Sequence, residues 1–314
     1  RHWALDSTDL TYAPVGFGSH HWWLTTGEGA RYFVTVDDVA DDSALRAAMA
    51  TARALRDEAG LAFVVAPRSG QDGQAVQRLA DRWSVAVFPA VDGTGWPSAA
   101  EQTPEERGSL VDLLGRLHLA TPYVAATARA DDLAIDGRCA LEEAMARLTE
   151  PWEGGPFSEP TRALVAEHAD DVRRRLATHD DGAAGLRARD EPWVVTHGEP
   201  KPDNWLATTT GPLLVDWDTT LLAPAARDLW LVESGTGSEL RRYAEVTGRT
   251  VPVDDLGYYR LRWALVDVAQ YVEWFRGPHE RTADSELAWS ALVDTLAELR
   301  PVSDSGGRRP PRAG

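Results

Sequence analysis

The sequence predicts an α+β fold of two lobes, the first small and rich in strands, the second larger and mostly helical. Three observations carry this. The first ninety or so residues alternate short apolar, β-branched and aromatic runs around a single helical pattern. A cluster of breakers, Asp92-Gly93-Thr94-Gly95-Trp96-Pro97, then interrupts the chain. Beyond it the apolar spacing becomes that of helices. The expected boundaries are residues 1–91 for the first lobe, with the connection near 88–92, then 92–302 for the second, and a tail over 303–314.

In the first lobe, Leu10–Pro14 and His21–Thr25 read as strands flanking the small, polar segment Gly16-Phe17-Gly18-Ser19-His20. A turn at Gly27-Glu28-Gly29 leads to Arg31–Val36, a third strand of β-branched and aromatic residues. Ser43 is the expected N-cap of a helix to about Glu58. Leu45, Met49, Ala52 and Leu55 lie at helical spacing along it, and Gly60 is its stop. Phe63–Ala66 and Trp83–Pro89 are short apolar runs suited to buried strands. The second lobe opens on Thr103-Pro104-Glu105-Glu106, a capping box with proline at the first helical position, followed by Leu110, Leu114 and Leu117 on one face. Cys139–Leu148, a segment carrying Leu164, His168, Val172 and Leu176, and Leu261–Phe275 read as further helices. Trp193–Thr196 and Leu213–Asp216 read as strands, and the tail Ser303–Gly314 as disordered.

A chain of 314 residues, 43% hydrophobic and 26% charged, is long enough for two lobes with a core each. Its 32 basic and 49 acidic residues leave a formal charge of −17, which repels a nucleic-acid backbone and excludes that partner. Such a surface serves solubility, and suits a cationic ligand better than an anionic one. The single cysteine, Cys139, excludes an intrachain disulfide and a cysteine-rich metal cluster; heading an apolar helical stretch, it reads as a small core residue. No apolar run reaches the length of a membrane span, and Arg1–Asp9 does not read as a signal peptide. A cytoplasmic protein with no membrane partner is expected, as monomer or homodimer. The chain opens on Arg1 rather than Met, which reads as a missing N-terminus.

The segment richest in chemistry is His197-Gly198-Glu199-Pro200-Lys201-Pro202-Asp203-Asn204, between two predicted strands, with Val215-Asp216-Trp217 at the end of the second. Phosphoryl transfer from a nucleotide needs a carboxylate that orients and deprotonates the attacking hydroxyl. It also needs a neutral oxygen and a second carboxylate for Mg²⁺. Glu199, Asn204 and Asp216 are of those types, and a tight loop plus a strand end can converge them. The same loop holds the only lysine among the 32 basic residues, Lys201, whose compact ammonium suits a phosphate oxygen. A metal hydrolase is disfavoured, because the histidines lack ligand spacing such as H-x-x-x-H.

This segment resembles the protein-kinase catalytic loop H-R-D-x-K-P-x-N and, more closely, the H-G-D/E-x-x-P-x-N loop of the aminoglycoside phosphotransferases. The resemblance implies a bilobal protein-kinase-like fold, with a β-rich, nucleotide-binding N-lobe and a mostly helical C-lobe for catalysis and substrate. It puts Glu199 at the catalytic base, Asn204 and Asp216 at the magnesium positions, Lys201 within reach of the γ-phosphate, and His197 as a structural member of the loop. Arg227-Asp228-Leu229 resembles the stretch whose aspartate, here Asp228, braces the loop from below. Leu113–His118 resembles the family's central L-x-x-L-H helix, with His118 as a satisfied core histidine. Phe88, Ala90 and Val91 fall at the hinge that reads adenine through its backbone. Gly16, Gly18 and Ser19 fall in the glycine-rich loop over the phosphates, and Thr35 at the adjoining strand position. The implied cofactors are ATP or GTP and Mg²⁺, and the implied partners a nucleotide and a small-molecule, cationic substrate.

The chain departs from the pattern in three ways. The base is Glu rather than Asp. His21 stands where a third glycine would fall, beside the bulky Trp22 and Trp23. Thr35 replaces the phosphate-binding strand lysine, and the following helix has acids only at its far end, Asp57 and Glu58. Arg46 and Arg53, two turns apart on one helix face, are candidates for the missing charge, with a solvated surface as the alternative. The implied activity is phosphorylation of a hydroxyl on an antibiotic of the aminoglycoside or aminocyclitol kind, giving resistance. The alternatives are a kinase of a sugar, choline or homoserine, and a pseudokinase-like nucleotide-binding module. For substrate, Asp267, Gln270, Tyr271 and Trp274 share one helix face, and Asp218, Trp230 and Glu233 follow the metal-binding strand. Carboxylates beside aromatic walls suit an amino-sugar, and a half-buried helix face with aromatic core residues is the alternative for the first group.

Overall fold

Side-chain alternation along the N-terminal third resolves into one antiparallel sheet. The computed structural model describes residues 2–15 and 19–300, so Gly16 and Gly18 of the expected glycine loop and the tail 303–314 lie outside the described residues. Strands β1 (Ser7–Ala13), β2 (His20–Thr26), β3 (Arg31–Asp38), β4 (Val76–Leu79) and β5 (Trp83–Pro89) form it in the order β1-β2-β3-β5-β4. The register sets His21 opposite Thr35 and Thr35 opposite Ala86, with Trp23, Phe33 and Phe88 aligned two residues along. Because successive side chains point to opposite faces, His21, Trp23, Phe33, Thr35, Asp37 and Phe88 all share one face. That face packs a core of Met49, Ala75, Val76, Ala86 and Phe88, with Phe33 and Leu45 against it.

Helix α1 (Ser43–Asp57) buries Met49, Ala52 and Leu55 at the predicted spacing, but its N-cap is Asp42, not Ser43. The carboxylate of Asp42 goes elsewhere, to Arg46 at 2.8 Å and the Ser84 hydroxyl at 2.9 Å, while the Ser43 amide donates to Asp41 at 2.9 Å. The predicted strand Phe63–Ala66 is reduced to an isolated bridge between Val64 and Leu214. Val65 donates to Leu214 and Leu214 to Phe63, and Pro67 then has no N–H with which to extend the ladder.

The chain continues through β6 (Thr94–Gly95), α2 (Pro104–Leu119) and α3 (Thr121–Val124) to α4 (Arg138–Ala146) and the long α5 (Ser158–Ala188). The Thr103/Glu106 capping box at the start of α2 is complete. After α5 come β7 (Val194–Thr196), a 3₁₀ turn over Pro202–Asn204, the hairpin β8 (Trp205–Thr208) and β9 (Gly211–Leu214), and β10 (Leu221–Ala223). Helices α6 (Ala226–Leu229), α7 (Ser238–Thr247), α8 (Val253–Arg276) and α9 (Ala283–Glu298) follow. β7 pairs with β10, and β6-β8-β9 form a small antiparallel sheet that the sequence reading resolved only at Leu213–Asp216.

By its contacts the chain divides into two compact units, 1–131 with 192–251 and 132–191 with 252–314. In the second, α5 buries Val165, Ala169, Val172, Leu176, Ala183 and Leu186, the three-to-four spacing of one helix face. The first four of these pack with Leu265, Val268, Val272 and Phe275 of α8 and Leu292 and Leu296 of α9. Cys139 is exposed, contrary to expectation: α4 turns Leu141, Ala144 and Met145 inward, and residue 139 falls off that stripe. Among the described residues no helix is long and apolar enough to cross a membrane.

Candidate active site

The buried strand β7 delivers the chain into the segment His197–Asn204, and one carboxylate holds its start. Asp228, fully buried on α6, accepts from the amides of His197 at 2.9 Å and Gly198 at 2.7 Å, and from His118 Nε2 at 3.0 Å. His118 is fixed in turn by the Tyr243 hydroxyl, 2.8 Å from Nδ1. Burial works to raise the Asp228 carboxyl, but the His118 hydrogen bond and the charges of His118, His197 and Arg227 win and hold it below its ordinary range. The His197 ring has its Nε2 2.9 Å from the Val215 carbonyl and meets Trp217 edge-on, tying the loop to the strand that ends at Asp216. Burial depresses its affinity for a proton, against the pull of Asp228, so the ring is neutral, a structural tie.

Gly198 is required on two counts. Its φ is +102°, and a Cβ there would lie 2.5 Å from the Arg227 guanidinium. That guanidinium is itself committed, to the Thr196 hydroxyl at 2.9 Å and the Thr219 carbonyl at 2.8 Å. Past this clamp, Trp205 anchors Pro200 by an Nε1–H bond of 3.1 Å to its carbonyl. Asn204 donates from Nδ2 to the Glu199 carbonyl at 2.8 Å, which assigns the amide orientation and leaves Oδ1 as the acceptor end of the amide. Glu199 and Lys201 face each other at 3.2 Å, with side chains 29% and 37% exposed, so both remain accessible on the loop. Asp216 has φ +69°, an uncommon conformation for a residue with a Cβ and one that collects at functional sites.

Beside this loop lies a cavity of about 320 Å³ whose walls all belong to the first unit. Trp23, Phe33, Met49, Val65, Phe88 and Leu206 supply apolar wall, and Asp37, Asp203, Asn204, Asp216 and Asp218 the polar wall. The carboxylates crowd one another. Asp37 is raised by burial and by Asp216, against the opposing pull of the Ser19 hydroxyl that donates to it and of His21. Asp218 opens to the cavity yet is ringed by protein. That desolvation, with the charges of Asp216, Glu199 and Asp37, lifts its carboxyl to about 7. A raised carboxyl favours the folded state below its unfolded value of about 3.9 and loses that advantage as pH rises through about 7. The metal-free, nucleotide-free protein should therefore lose this contribution to its thermal stability between about pH 4 and 7, and Asp218→Asn should flatten that fall. Melting curves across this range, with Asp218→Asn as steep as the parent, would remove Asp218 as the cause.

Of the predicted nucleotide residues, Ser19, Thr35, Phe88 and Val91 line the cavity. Ala90 lies between the last two, with its amide engaged by the Arg31 carbonyl at 3.1 Å. Arg46 and Arg53 do not line it, a correction to the candidate role for their charge. Arg46 is held by Asp42 and the Val76 carbonyl, and Arg53 by Asp57 and Ser69, along a separate surface groove. Of the predicted substrate residues, Asp218 lines the cavity and Trp230 follows directly on α6. Glu233 takes the amides of Gly235 at 2.7 Å and Gly237 at 2.8 Å, shaping the turn before α7. Asp267, Gln270, Tyr271 and Trp274 lie on α8 in the second unit. There Tyr271 and Trp274 rest half-buried against that unit's core, Trp274 stacked on Phe275 at 5.5 Å, and Gln270 is exposed. Sequence reasoning gave no site role to Asp37, Asp203 or the apolar residues Met49 and Val65, which line the cavity. The period-two pattern from Phe33 through Thr35 to Asp37 was the available signal for the first.

Residues 9–245 match the model of the phosphotransferase enzyme family. Over 257 residues the chain is 32% identical to Protein StrN of Streptomyces griseus, covering 79% of this chain and 76% of that one. Among solved structures, spectinomycin phosphotransferase APH(9)-Ia in complex with ADP and spectinomycin is similar with a TM-score of 0.71, at 15% identity over 95% of each chain. The amicoumacin kinase hAmiN in complex with AMP-PNP, Ca²⁺ and Ami gives 0.63 at 14% identity, covering 95% of this chain and 89% of that one. Choline kinase LicA from Streptococcus pneumoniae gives 0.58 at 12% identity, covering 94% and 95%. At such identities the likeness is one of fold, and it is the protein-kinase-like α+β fold that the sequence led us to expect.

Proposed function

The chain belongs to the phosphotransferase enzyme family and is a small-molecule phosphotransferase; within that activity we propose that it transfers the γ-phosphoryl group of ATP or GTP to a hydroxyl of a cationic antibiotic of the aminocyclitol or aminoglycoside kind. The observation that carries the reading is the braced loop and strand end that hold Glu199, Asn204 and Asp216, the last two lining a cavity with an apolar side. Glu199 orients the substrate hydroxyl and takes its proton as the oxygen attacks the γ-phosphorus. Lys201, paired with Glu199 at 3.2 Å, brings positive charge beside the transferred group. The apolar walls around Phe33 and Phe88 suit a purine.

The donor set fits Mg²⁺: the Asn204 amide oxygen and the Asp216 carboxylate are hard oxygen ligands, and this ion takes few protein ligands beside phosphates and waters. Bound there, Mg²⁺ would neutralise the crowded phosphate charge. The formal charge of −17 favours a cationic acceptor, in line with the spectinomycin bound by one structural neighbour. A kinase of a small cationic metabolite is the second reading, favoured by the likeness to a choline kinase. Incubation with ATP, Mg²⁺ and a panel of aminocyclitols, aminoglycosides, choline and homoserine, read by mass spectrometry, separates the two. A phosphorylated aminocyclitol or aminoglycoside supports the first reading; phosphorylation of choline or homoserine alone replaces it with the second.

A further inference from the structure

The cavity has an electrostatic imbalance for a site that takes a nucleotide. Its walls carry four carboxylates, Asp37, Asp203, Asp216 and Asp218, and among the described lining residues no Lys or Arg. Among the described lining residues, the one side chain able to bear positive charge is that of His21, on β2. Across the sheet it faces Thr35, which offers a hydroxyl and no charge.

The ring of His21 is held on two sides. It stacks on Phe33 with centroids 5.1 Å apart and planes at 21°, and its Nδ1 lies 2.6 Å from the carbonyl of Val15. A carbonyl only accepts, so Nδ1 carries the hydrogen and Nε2 is the nitrogen left for a ligand. We propose that His21 is the nucleotide-phosphate contact of this cavity, donating from Nε2 to a non-bridging phosphate oxygen. A ring already stacked and hydrogen-bonded loses little freedom on making that contact. Since Nδ1 already donates to Val15, donation from Nε2 uses a second ring proton, and the neighbouring acid on the same face is Asp37 of β3. The contact serves ground-state nucleotide binding, whereas Lys201 lies with Glu199 on the loop and is not among the cavity walls.

The inference rests on the proposed nucleotide reading, and titrations of ATP with Mg²⁺ and of adenosine separate the two. His21→Ala should weaken ATP about tenfold or more, as expected for a lost charge-assisted hydrogen bond, and leave adenosine binding unchanged. Unchanged adenosine affinity also certifies that the variant cavity is folded. His21→Gln, which keeps a donor without charge, should fall between the two. If the parent binds ATP and His21→Ala binds it equally well, the inference is overturned and the nucleotide reading stands. Equal loss of ATP and adenosine would overturn it too, making His21 a wall rather than a phosphate contact. A parent that binds neither ligand defeats both.

Discussion

Glu199→Gln is expected to lower turnover by about 10² to 10⁴-fold while leaving nucleotide affinity and melting temperature near those of the parent. The amide matches the carboxylate in shape, and the loop does not depend on the lost charge. Asn204 bonds the Glu199 main-chain carbonyl, and the Glu199 amide donates to His197 Nδ1 at 3.2 Å. What the variant loses is a group able to take the proton from the attacking hydroxyl, together with the ion pair to Lys201. Steady-state rates at saturating substrate, beside a nucleotide titration, check this. Turnover close to that of the parent would remove Glu199 from the base position.

The second large effect is on the loop's support. Asp228→Ala strands three buried donors, the amides of His197 and Gly198 and the Nε2–H of His118. Each unsatisfied buried donor costs about 1–3 kcal/mol, so a loss of about 3 kcal/mol or more is expected, with activity lost alongside. The pH dependence follows from the same contacts. The depressed Asp228 carboxyl contributes stability that is complete above its unfolded value of about 3.9 and lost as pH falls through its lower folded value. The buried neutral His197 acts in the same direction, losing stability as pH falls below its unfolded value of about 6.5. Asp218 opposes these two groups between about pH 7 and 4, so the weakening of the parent should show most clearly below about pH 4, and Asp228→Ala should start lower and lack that acidic fall. Unchanged melting temperature in Asp228→Ala would mean that the loop is held by something other than this carboxylate.

The proposed catalytic segment was legible because its chemistry is contiguous. Eight residues carry a carboxylate, an amide and a lysine, and local rules of turns and short strands are enough to put them on one loop. Asp228 was legible only through the family resemblance, since nothing local says that a residue on a four-residue helix will satisfy amides thirty positions earlier. The cavity's other wall was harder. Asp37 and His21 reach it through the pairing of β2 with β3, and register is a tertiary outcome that periodicity alone does not fix. The same limit explains Phe63–Ala66, read as a strand from its apolar run, whose main partner is Leu214, some 150 residues on. Cys139 was misplaced for a different reason: a helical stripe is set by phase, and heading an apolar stretch does not put a residue on the buried side.

The most direct test of the account is transfer of label from γ-labelled ATP, with Mg²⁺, to a small-molecule hydroxyl by the parent protein and by Glu199→Gln. The account predicts labelled small molecule from the parent with an aminocyclitol or aminoglycoside acceptor, and little or none from the variant. Label that the parent releases only to water, or that both proteins transfer equally, would contradict it.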